Sequence, residues 1–264
     1  MSAANALQRA LHAEWTKVRT VAGNAWLVGA ALVLMIGLST AVSAAVDCTA
    51  SGCSADPTRT ALTGVVLGQA VVAILAVLVM SGEYGTGMIG VTFAAMPRRT
   101  VVLAAKALVL AGIVFTAGVM SVLGSLLAGR PILAGNGFTL AHGHPAPSLG
   151  DFATARAAIG TVVYLVLIAL LSLGIAAIVR DAAAAIGLVL GLLFLFPVLA
   201  QVVNDPDWYR HLQQISPMIA GLSIQDTVRD PDAPIGPLAG LAVLAGWAGA
   251  AMLTGGVLLR RRDT

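Results

Sequence analysis

Few residues in this chain could do chemistry, and its paired histidines are the first candidates. His142 and His144 lie two positions apart in a segment rich in glycine and proline. Two imidazoles at this spacing could contact a metal ion, but a zinc site needs three or four protein ligands. No third ligand accompanies the pair in the sequence, so no metal site is predicted.

Motifs that carry hydrolysis or nucleotide binding are absent from the sequence. There is no G-x-S-x-G nucleophile elbow, no H-E-x-x-H motif and no Cys/His zinc spacing. A P-loop requires a Gly-Lys pair, whereas the only lysines, Lys17 and Lys106, follow Thr16 and Ala105. We therefore expect no catalytic residue and no cofactor in this chain, and any ATP and Mg²⁺ would bind to a different polypeptide.

Long apolar stretches make up most of the sequence around these residues. The chain is 58% hydrophobic and 10% charged, which is too apolar for one soluble core. Six stretches each reach the ~20 residues that a helix needs to cross a ~30 Å hydrocarbon layer. In lipid the backbone must be hydrogen-bonded internally, so all six are expected to be helices of one all-α, polytopic membrane domain covering 1–264. The predicted spans are 21–46, 61–81, 100–129, 157–179, 182–203 and 235–259.

Ionisable residues are almost absent from the predicted spans. They contain no Asp, Glu or His, which proton-driven transporters use as buried relays. Lys106 is the one charged residue inside a span, and we expect it to extend its ammonium group to the lipid headgroups. If the protein moves a substrate against a gradient, the energy is expected to come from outside the span region.

The distribution of basic residues predicts the orientation of the spans. With the N-terminus in the cytoplasm, ten Lys and Arg residues lie inside and five lie outside, as the positive-inside rule requires. Both termini are then cytoplasmic, and a cytoplasmic (inner) membrane is the expected location. The basic charge reflects this topology and does not indicate a nucleic-acid partner. The inner residues are Arg9, Lys17, Arg19, Arg98, Arg99, Lys106, Arg180, Arg260, Arg261 and Arg262.

Both cysteines, Cys48 and Cys53, fall in the first outer loop of this topology. An oxidising compartment would allow them to form a small local disulfide, and two free thiols are the alternative.

The first 20 residues are predicted to form an interfacial helix. Apolar residues recur at helical spacing, while the basic residues point mostly elsewhere. Trp15, Lys17 and Arg19 are the expected anchors at the inner leaflet, with the lipid headgroups as partners. The alternative is a cytoplasmic extension of the first span.

Two outer segments differ in character. The segment 130–155 contains many glycines and prolines, so no long regular element is expected there. In the segment 204–234, the apolar run 212–224 is too short to cross the bilayer and is interrupted by Ser216 and Pro217. A re-entrant or surface-lying helical segment before the last span is predicted.

The most distinctive segment is the predicted cytoplasmic link 82–99 between the second and third spans. Residues 81–99 read SGEYGTGMIGVTFAAMPRR, and Lys106 follows near the start of the next span. This pattern resembles the permeases of the ABC-2 exporter family, in which a Gly/Ser-Glu-Tyr element, a short helix and Pro-Arg-Arg precede a span with a Lys near its start. The entry segment EWTKVRT at 14–20 and the ending RRRD at 260–263 are also similar to that family.

The resemblance implies a transport subunit that contacts a separate ABC ATPase and a second permease copy, identical or different. The link would hold a coupling helix that docks on the ATPase, and Gly90 stands where many members have a basic residue. The implied coupling residues are Glu83, Tyr84, Thr86, Met88, Ile89, Arg98 and Arg99. An amphipathic, drug-like, peptide or lipid-like substrate would be exported.

Two alternatives to the exporter remain open on the sequence. One is an ordinary inner loop at 82–99 in a membrane scaffold or immunity-type binding protein that has no ATPase partner. The other is an intramembrane enzyme that uses His142 and His144. The sequence does not identify the substrate or the direction of transport.

Overall fold

The computed structural model describes residues 3–48, 55–85, 99–140, 143–202, 205–228 and 233–261. All regular secondary structure within these residues is helical. The helices, numbered in chain order, are α1 Ala3–Thr20, α2 Ala22–Ala45, α3 Pro57–Ala61, α4 Val65–Gly85, α5 Arg99–Gly135, α6 Phe152–Val179, α7 Ala182–Val202, α8 Pro206–Ile215, α9 Pro217–Leu222 and α10 Pro237–Arg261. A 3₁₀ turn at Ser223–Gln225 follows α9.

Six of these helices, α2, α4, α5, α6, α7 and α10, are long and apolar enough to cross a membrane. The predicted all-α fold, with six helices of sufficient length and apolar character to cross a membrane, is therefore confirmed. The first helix of the chain, α1, also forms over the predicted range.

Helix α6 is the centre of the bundle, and α4, α5, α7 and α10 pack against it. Its most apolar segment is two-thirds buried, whereas those of α2, α7 and α10 are largely exposed. Helix α2 packs on α4 and α5 at the edge of the bundle. The exposed apolar faces are the surfaces that lipid or another subunit would cover.

Close helix packing depends on particular glycines. A Cβ at Gly64 would lie 2.0 Å from the Met35 carbonyl oxygen, and one at Gly240 would lie 1.9 Å from the Ala220 oxygen. No side chain larger than hydrogen is compatible with these separations unless the backbones move apart. By contrast, a Cβ at Gly187 or Gly191 would meet no atom within 4 Å. The Gly-x-x-x-Gly spacing alone therefore did not show which glycines lie in a contact.

The third span is longer than the sequence predicted. Helix α5 continues through Pro131 to Gly135, six residues beyond the expected end at Gly129. The described residues of 136–151 form no long regular element, as the glycines and prolines of 130–155 predicted. Asn136 directly follows α5 and connects this helix end to α2. Its side-chain amide donates to the Ser43 and Val46 carbonyl oxygens at 3.1 and 3.2 Å, which caps the C-terminus of α2.

The end of the bundle at which α2 and α5 finish is also held together by Asp56. Its carboxylate caps α3 and also accepts hydrogen bonds from the Thr227 backbone and hydroxyl at 2.5 and 2.8 Å. Beside it, Arg59 pairs with Asp226 at 2.9 Å, and Arg156 donates to the Asp226 carbonyl oxygen at 2.5 Å. Burial raises the pKa of Asp226, Arg59 opposes this effect, and Asp56 adds to it.

The segment before the last span is interrupted at Ser216, as its sequence predicted. Helix α8 ends at Ile215, and the Ser216 hydroxyl accepts a hydrogen bond from the Ile219 amide at 3.2 Å, which caps α9. Helix α9 is buried against α10, whereas Trp208 on α8 is exposed. Two short helices with different burial thus lead into α10.

Candidate functional site

Four charged side chains from three helices form a closed ring at one end of the bundle. Glu14 and Lys17 come from α1, Glu83 from the last turn of α4, and Lys106 from the second turn of α5. These are the only two glutamates and the only two lysines among the 264 residues. We call this cluster the ion ring.

Each charge in the ion ring lies between two charges of opposite sign. The Lys106 ammonium is 2.5 Å from Glu14 Oε2 and 2.9 Å from Glu83 Oε1. The Lys17 ammonium is 3.0 Å from Glu14 Oε1 and 2.9 Å from the same Glu83 oxygen. Lys106 uses its third donor on the Val79 carbonyl oxygen at 3.2 Å. The ring is electrically neutral, and all three Lys106 donors are satisfied.

Burial makes this pairing obligatory. The side chains of Glu14 and Lys106 are 3% exposed, Glu83 is 9% exposed, and Lys17 is 30% exposed. A lone buried charge is strongly unfavourable, and a complete set of partners offsets most of the desolvation penalty. Glu83 Oε2 is the one carboxylate oxygen of the ring that is buried without a hydrogen-bond partner among the described residues.

The local structure of each helix explains how these groups meet. Glu14 and Lys17 are three residues apart, so they lie on one face of α1, next to the fully buried Ala10. That face packs against α5, which carries Lys106. In Lys17, burial alone would lower the pKa, but hydrogen bonds and Coulomb attraction to Glu83 and Glu14 outweigh burial and raise the pKa above its ordinary value.

Arginines surround the ion ring at the same end of the bundle. Arg99 at the start of α5 donates to the Leu259 carbonyl oxygen near the end of α10 at 3.0 Å. The Arg180 guanidinium, at the end of α6, lies over the Tyr84 ring with 5.5 Å between its carbon and the ring centroid. The ends of α1, α4, α6 and α10 and the start of α5 therefore meet here, and we call this region the charged end.

The charged end corrects two expectations about individual residues. Lys106 was expected to reach the lipid headgroups, but its ammonium is buried and bound to Glu14 and Glu83. Glu83 was expected just after the second span, where it would brace the start of a coupling helix through a basic partner or helix N-termini; its position changes, whereas a basic partner is found. It lies instead inside α4, because the helix continues to Gly85, and it binds the two lysines.

The structure describes only part of the predicted coupling link. Glu83 and Tyr84 close α4 and Arg99 opens α5, so these three lie at the two ends of the link. The remaining predicted coupling residues, Thr86, Met88, Ile89 and Arg98, lie outside the described residues.

The predicted interfacial anchors on α1 behave differently from one another. Trp15 is 49% exposed and Arg19 is also exposed, which leaves both side chains available to lipid. Lys17 points instead toward the protein and completes the ion ring. The face of α1 that the protein buries carries Ala10 and Glu14.

The structure describes only some of the remaining predicted residues. Cys48 is disulfide-bonded, and the only other cysteine, Cys53, lies outside the described residues. Over the described ranges, no group of three or more His, Cys, Asp or Glu side chains could hold a metal ion. His142 is also outside those ranges.

Two contributors to the charged end were missed by sequence reasoning. Glu14 was read only as part of an entry segment, and Arg180 only as a topology signal. A usable signal for Glu14 existed, because a lysine inside an apolar helix needs an acidic partner and the chain has only two glutamates. No comparable signal pointed to the contact of Arg180 with Tyr84.

The charged end joins helices. Every ammonium of the ion ring is engaged, so the cluster connects α1, α4 and α5. No model of a known protein family matches the chain, and no curated protein matches it.

Proposed function

We propose that this protein is the membrane-spanning permease subunit of an ATP-driven exporter of the ABC-2 type. Six helices of spanning length support the general architecture. The segment 81–99 supports the specific family through its resemblance to the coupling region of those permeases. ATP hydrolysis would take place on a separate ATPase subunit, and this chain would not be an enzyme.

The observation that carries the proposal is the ion ring. Residues 86–98, which are the part of the predicted link between the two helices, connect the end of α4 to the start of α5. The Lys106–Glu83 contact at 2.9 Å fastens these two helices together just beyond the link, and the Lys106–Glu14 contact adds α1. A partner that pushed on the link would thus move three helices as one body. A transmission element requires this property, whereas a passive loop does not.

The orientation and the assembly are part of the same proposal. The link faces the cytoplasm, both termini are cytoplasmic, and the membrane is the inner membrane, because the basic residues are concentrated at the charged end. Helix α1 lies along the inner leaflet, and α8 and α9 form a re-entrant segment at the outer side. A second permease copy, identical or related, completes the transport path. The substrate is amphipathic or lipid-like, since the spans offer mostly apolar surface.

Co-purification of the ATPase subunit tests this function directly. The tagged chain is isolated from its native host in mild detergent, and co-purifying proteins are searched for a P-loop ATPase. We expect such an ATPase with the wild-type chain, and we expect Ile89→Glu in the link to abolish its recovery. Val228→Glu is the matched control, because Val228 is half exposed near Asp56 at the other end of the bundle.

Two results would reject the exporter. The first is the absence of any ATPase from the wild-type preparation, which would favour a scaffold or immunity-type binding protein. The second is topological: a cysteine introduced at Gly90 that reacts with a membrane-impermeant thiol reagent in intact cells would place the link outside the cytoplasm.

A further inference from the structure

Arg180 has an unusual backbone conformation at the end of α6. Its φ angle is +64°, and among the described residues it is the only non-glycine residue with positive φ. Its amide closes the helix by donating to the Ala176 carbonyl oxygen at 2.9 Å. Glycine is the usual residue at such a helix end because it has no Cβ. An arginine that tolerates this strain is a reason to ask what its side chain does.

The Arg180 side chain presents an unused pair of donors. Its Nε and Nη2 atoms are buried, and neither has a hydrogen-bond partner among the described residues. These two N–H groups point in parallel from one edge of the guanidinium, and this edge matches two oxygens of a carboxylate or phosphate. The ring of Tyr84, 5.5 Å away, supports the guanidinium through a cation–π contact.

Tyr84 adds a third unused donor at the same place. Its hydroxyl group is buried and has no hydrogen-bond partner in the described part of the chain. The Arg180 guanidinium and the Glu83 carboxylate both act electrostatically on this hydroxyl, with opposite signs. Arg99 also acts electrostatically on this hydroxyl. Three donors and the positive charge of Arg180 thus lie close together, and the Glu83 carboxylate is the neighbouring negative charge.

The neighbouring acidic residues are partly engaged. Glu83 holds both lysines of the ion ring through Oε1, although its Oε2 has no hydrogen-bond partner among the described residues, and Asp181 caps α7 by accepting from the Ala184 amide at 2.8 Å. The link 86–98 contains neither Asp nor Glu. Asp263, in the segment after α10, is the remaining acidic residue close in sequence to this end. Buried donors that have no acceptor among the described residues are costly, so an external oxyanion would be stabilised here.

The position of these residues identifies the source of the oxyanion. Arg180 directly follows the apolar helix α6, and Arg99 directly precedes the apolar part of α5. Residues at the ends of membrane-spanning helices lie at the depth of the lipid phosphates. The two guanidinium groups would repel the cationic headgroup of a zwitterionic lipid, which favours an anionic one.

We infer that Tyr84, Arg99 and Arg180 form a binding site for the phosphate group of an anionic phospholipid. The Nε and Nη2 atoms of Arg180 donate to two phosphate oxygens, and the Tyr84 hydroxyl donates to one of them. The Arg99 guanidinium offsets the negative charge of the phosphate. The site is independent of the exporter proposal, because it requires only that α4, α5 and α6 end at a membrane surface.

Lipid-dependent thermal unfolding of the full chain in mild detergent tests this site. Phosphatidylglycerol, phosphatidylcholine and inorganic phosphate are titrated separately while the unfolding midpoint is measured. We expect phosphatidylglycerol to raise the midpoint and the other two to have little effect. Arg180→Gln should require at least about tenfold more phosphatidylglycerol for the same rise, because a bidentate charged contact is lost. Tyr84→Phe should require severalfold more.

Two further variants separate binding from folding. Arg180→Gly relieves the backbone strain, so it should be at least as stable as the wild type without lipid and should still lose the response to phosphatidylglycerol. Arg130→Gln is the matched control, since Arg130 is exposed on α5 away from the charged end, and its response should be unchanged.

Several outcomes would overturn the assignment. An undiminished lipid response in both Arg180→Gln and Arg180→Gly would show that Arg180 does not bind the headgroup. A full response to inorganic phosphate alone would indicate a soluble anion. A response that appears only after Asp263→Asn would show that the chain's own carboxylate fills the site.

Discussion

Removing the Lys106 ammonium is the most informative perturbation of the ion ring. The substitution Lys106→Met keeps the length and apolar stem of the side chain and deletes its charge. It removes the 2.5 Å contact with Glu14, the 2.9 Å contact with Glu83 and the 3.2 Å hydrogen bond to the Val79 oxygen. Two buried carboxylates would then share Lys17, whose side chain is 30% exposed.

The size of the expected loss of stability follows from the burial of Glu14 and Glu83, the two partners of Lys106. Breaking a buried ion pair by deleting one member costs about 3–5 kcal/mol, because the remaining charge is buried without compensation. This corresponds to a roughly 10²- to 10⁴-fold shift of the unfolding equilibrium. For a chain of this size we expect the thermal midpoint to fall by roughly 6–20 °C. The assay is thermal unfolding in mild detergent, followed by tryptophan fluorescence.

A double substitution distinguishes lost ion pairing from general damage. Lys106→Met combined with Glu14→Gln removes one charge of each sign and leaves the Lys17–Glu83 pair at 2.9 Å. The double variant should regain at least half of the stability that Lys106→Met loses, which is a positive coupling energy. Lys17→Met should cost less than Lys106→Met, because the Lys17 side chain is 30% exposed and that of Lys106 is 3% exposed.

Either of two results would contradict a stabilising role for the buried ion pairs of Lys106. One is a Lys106→Met variant whose midpoint lies within about 1 °C of the wild type, a change of less than about 0.5 kcal/mol. The other is a double variant that is as unstable as Lys106→Met or less stable, which would show that the buried carboxylate is not the source of the loss.

The other predictions use the same unfolding assay. The pKa of Lys17 is raised above 10.5 in the folded chain, so its stabilising contribution is complete below pH 10.5 and is lost as the pH rises through the folded value. Lys17→Gln should remove this alkaline decline, and an unchanged decline would contradict the assignment. Gly240→Ala should destabilise by about 1–3 kcal/mol, because its Cβ would lie 1.9 Å from a carbonyl oxygen, whereas Gly187→Ala, with no atom within 4 Å, should be neutral or slightly stabilising. Equal effects of the two glycine substitutions would disprove the packing argument. Tyr164→Phe should cost about 1–3 kcal/mol, because it leaves the buried Gln69 carbonyl oxygen without its donor, and a change within about 0.5 kcal/mol would contradict that role.

Residue composition determined the membrane-spanning character and the number of spans. Whether a window of about 20 residues can cross the hydrocarbon layer depends on the residues of that window alone. The interruption at Ser216 and Pro217 in the segment before the last span was predictable for the same local reason, since proline cannot continue the preceding helix. The end of α5 was less predictable, because Pro131 lies inside the helix.

The tertiary structure alone decided which charges meet. Glu14 and Lys106 are 92 residues apart, and their contact depends on the rotation of α1 and α5 about their axes and on how far the helices are offset. Hydropathy and spacing do not specify these quantities, which the packing of all the surrounding side chains sets together. The prediction for Lys106 therefore failed, although its position within the third span was correct.

The same distinction applies to Arg180 and to the glycines. The sequence showed that Arg180 separates two apolar stretches, but its left-handed backbone and its position over Tyr84 arise only when α6 is packed against α4. The sequence also contains several Gly-x-x-x-Gly pairs, and only some of these glycines lie where the backbones of two helices touch. Span number and span composition are local properties that short stretches of sequence determine, whereas contacts between spans depend on the arrangement of the whole bundle.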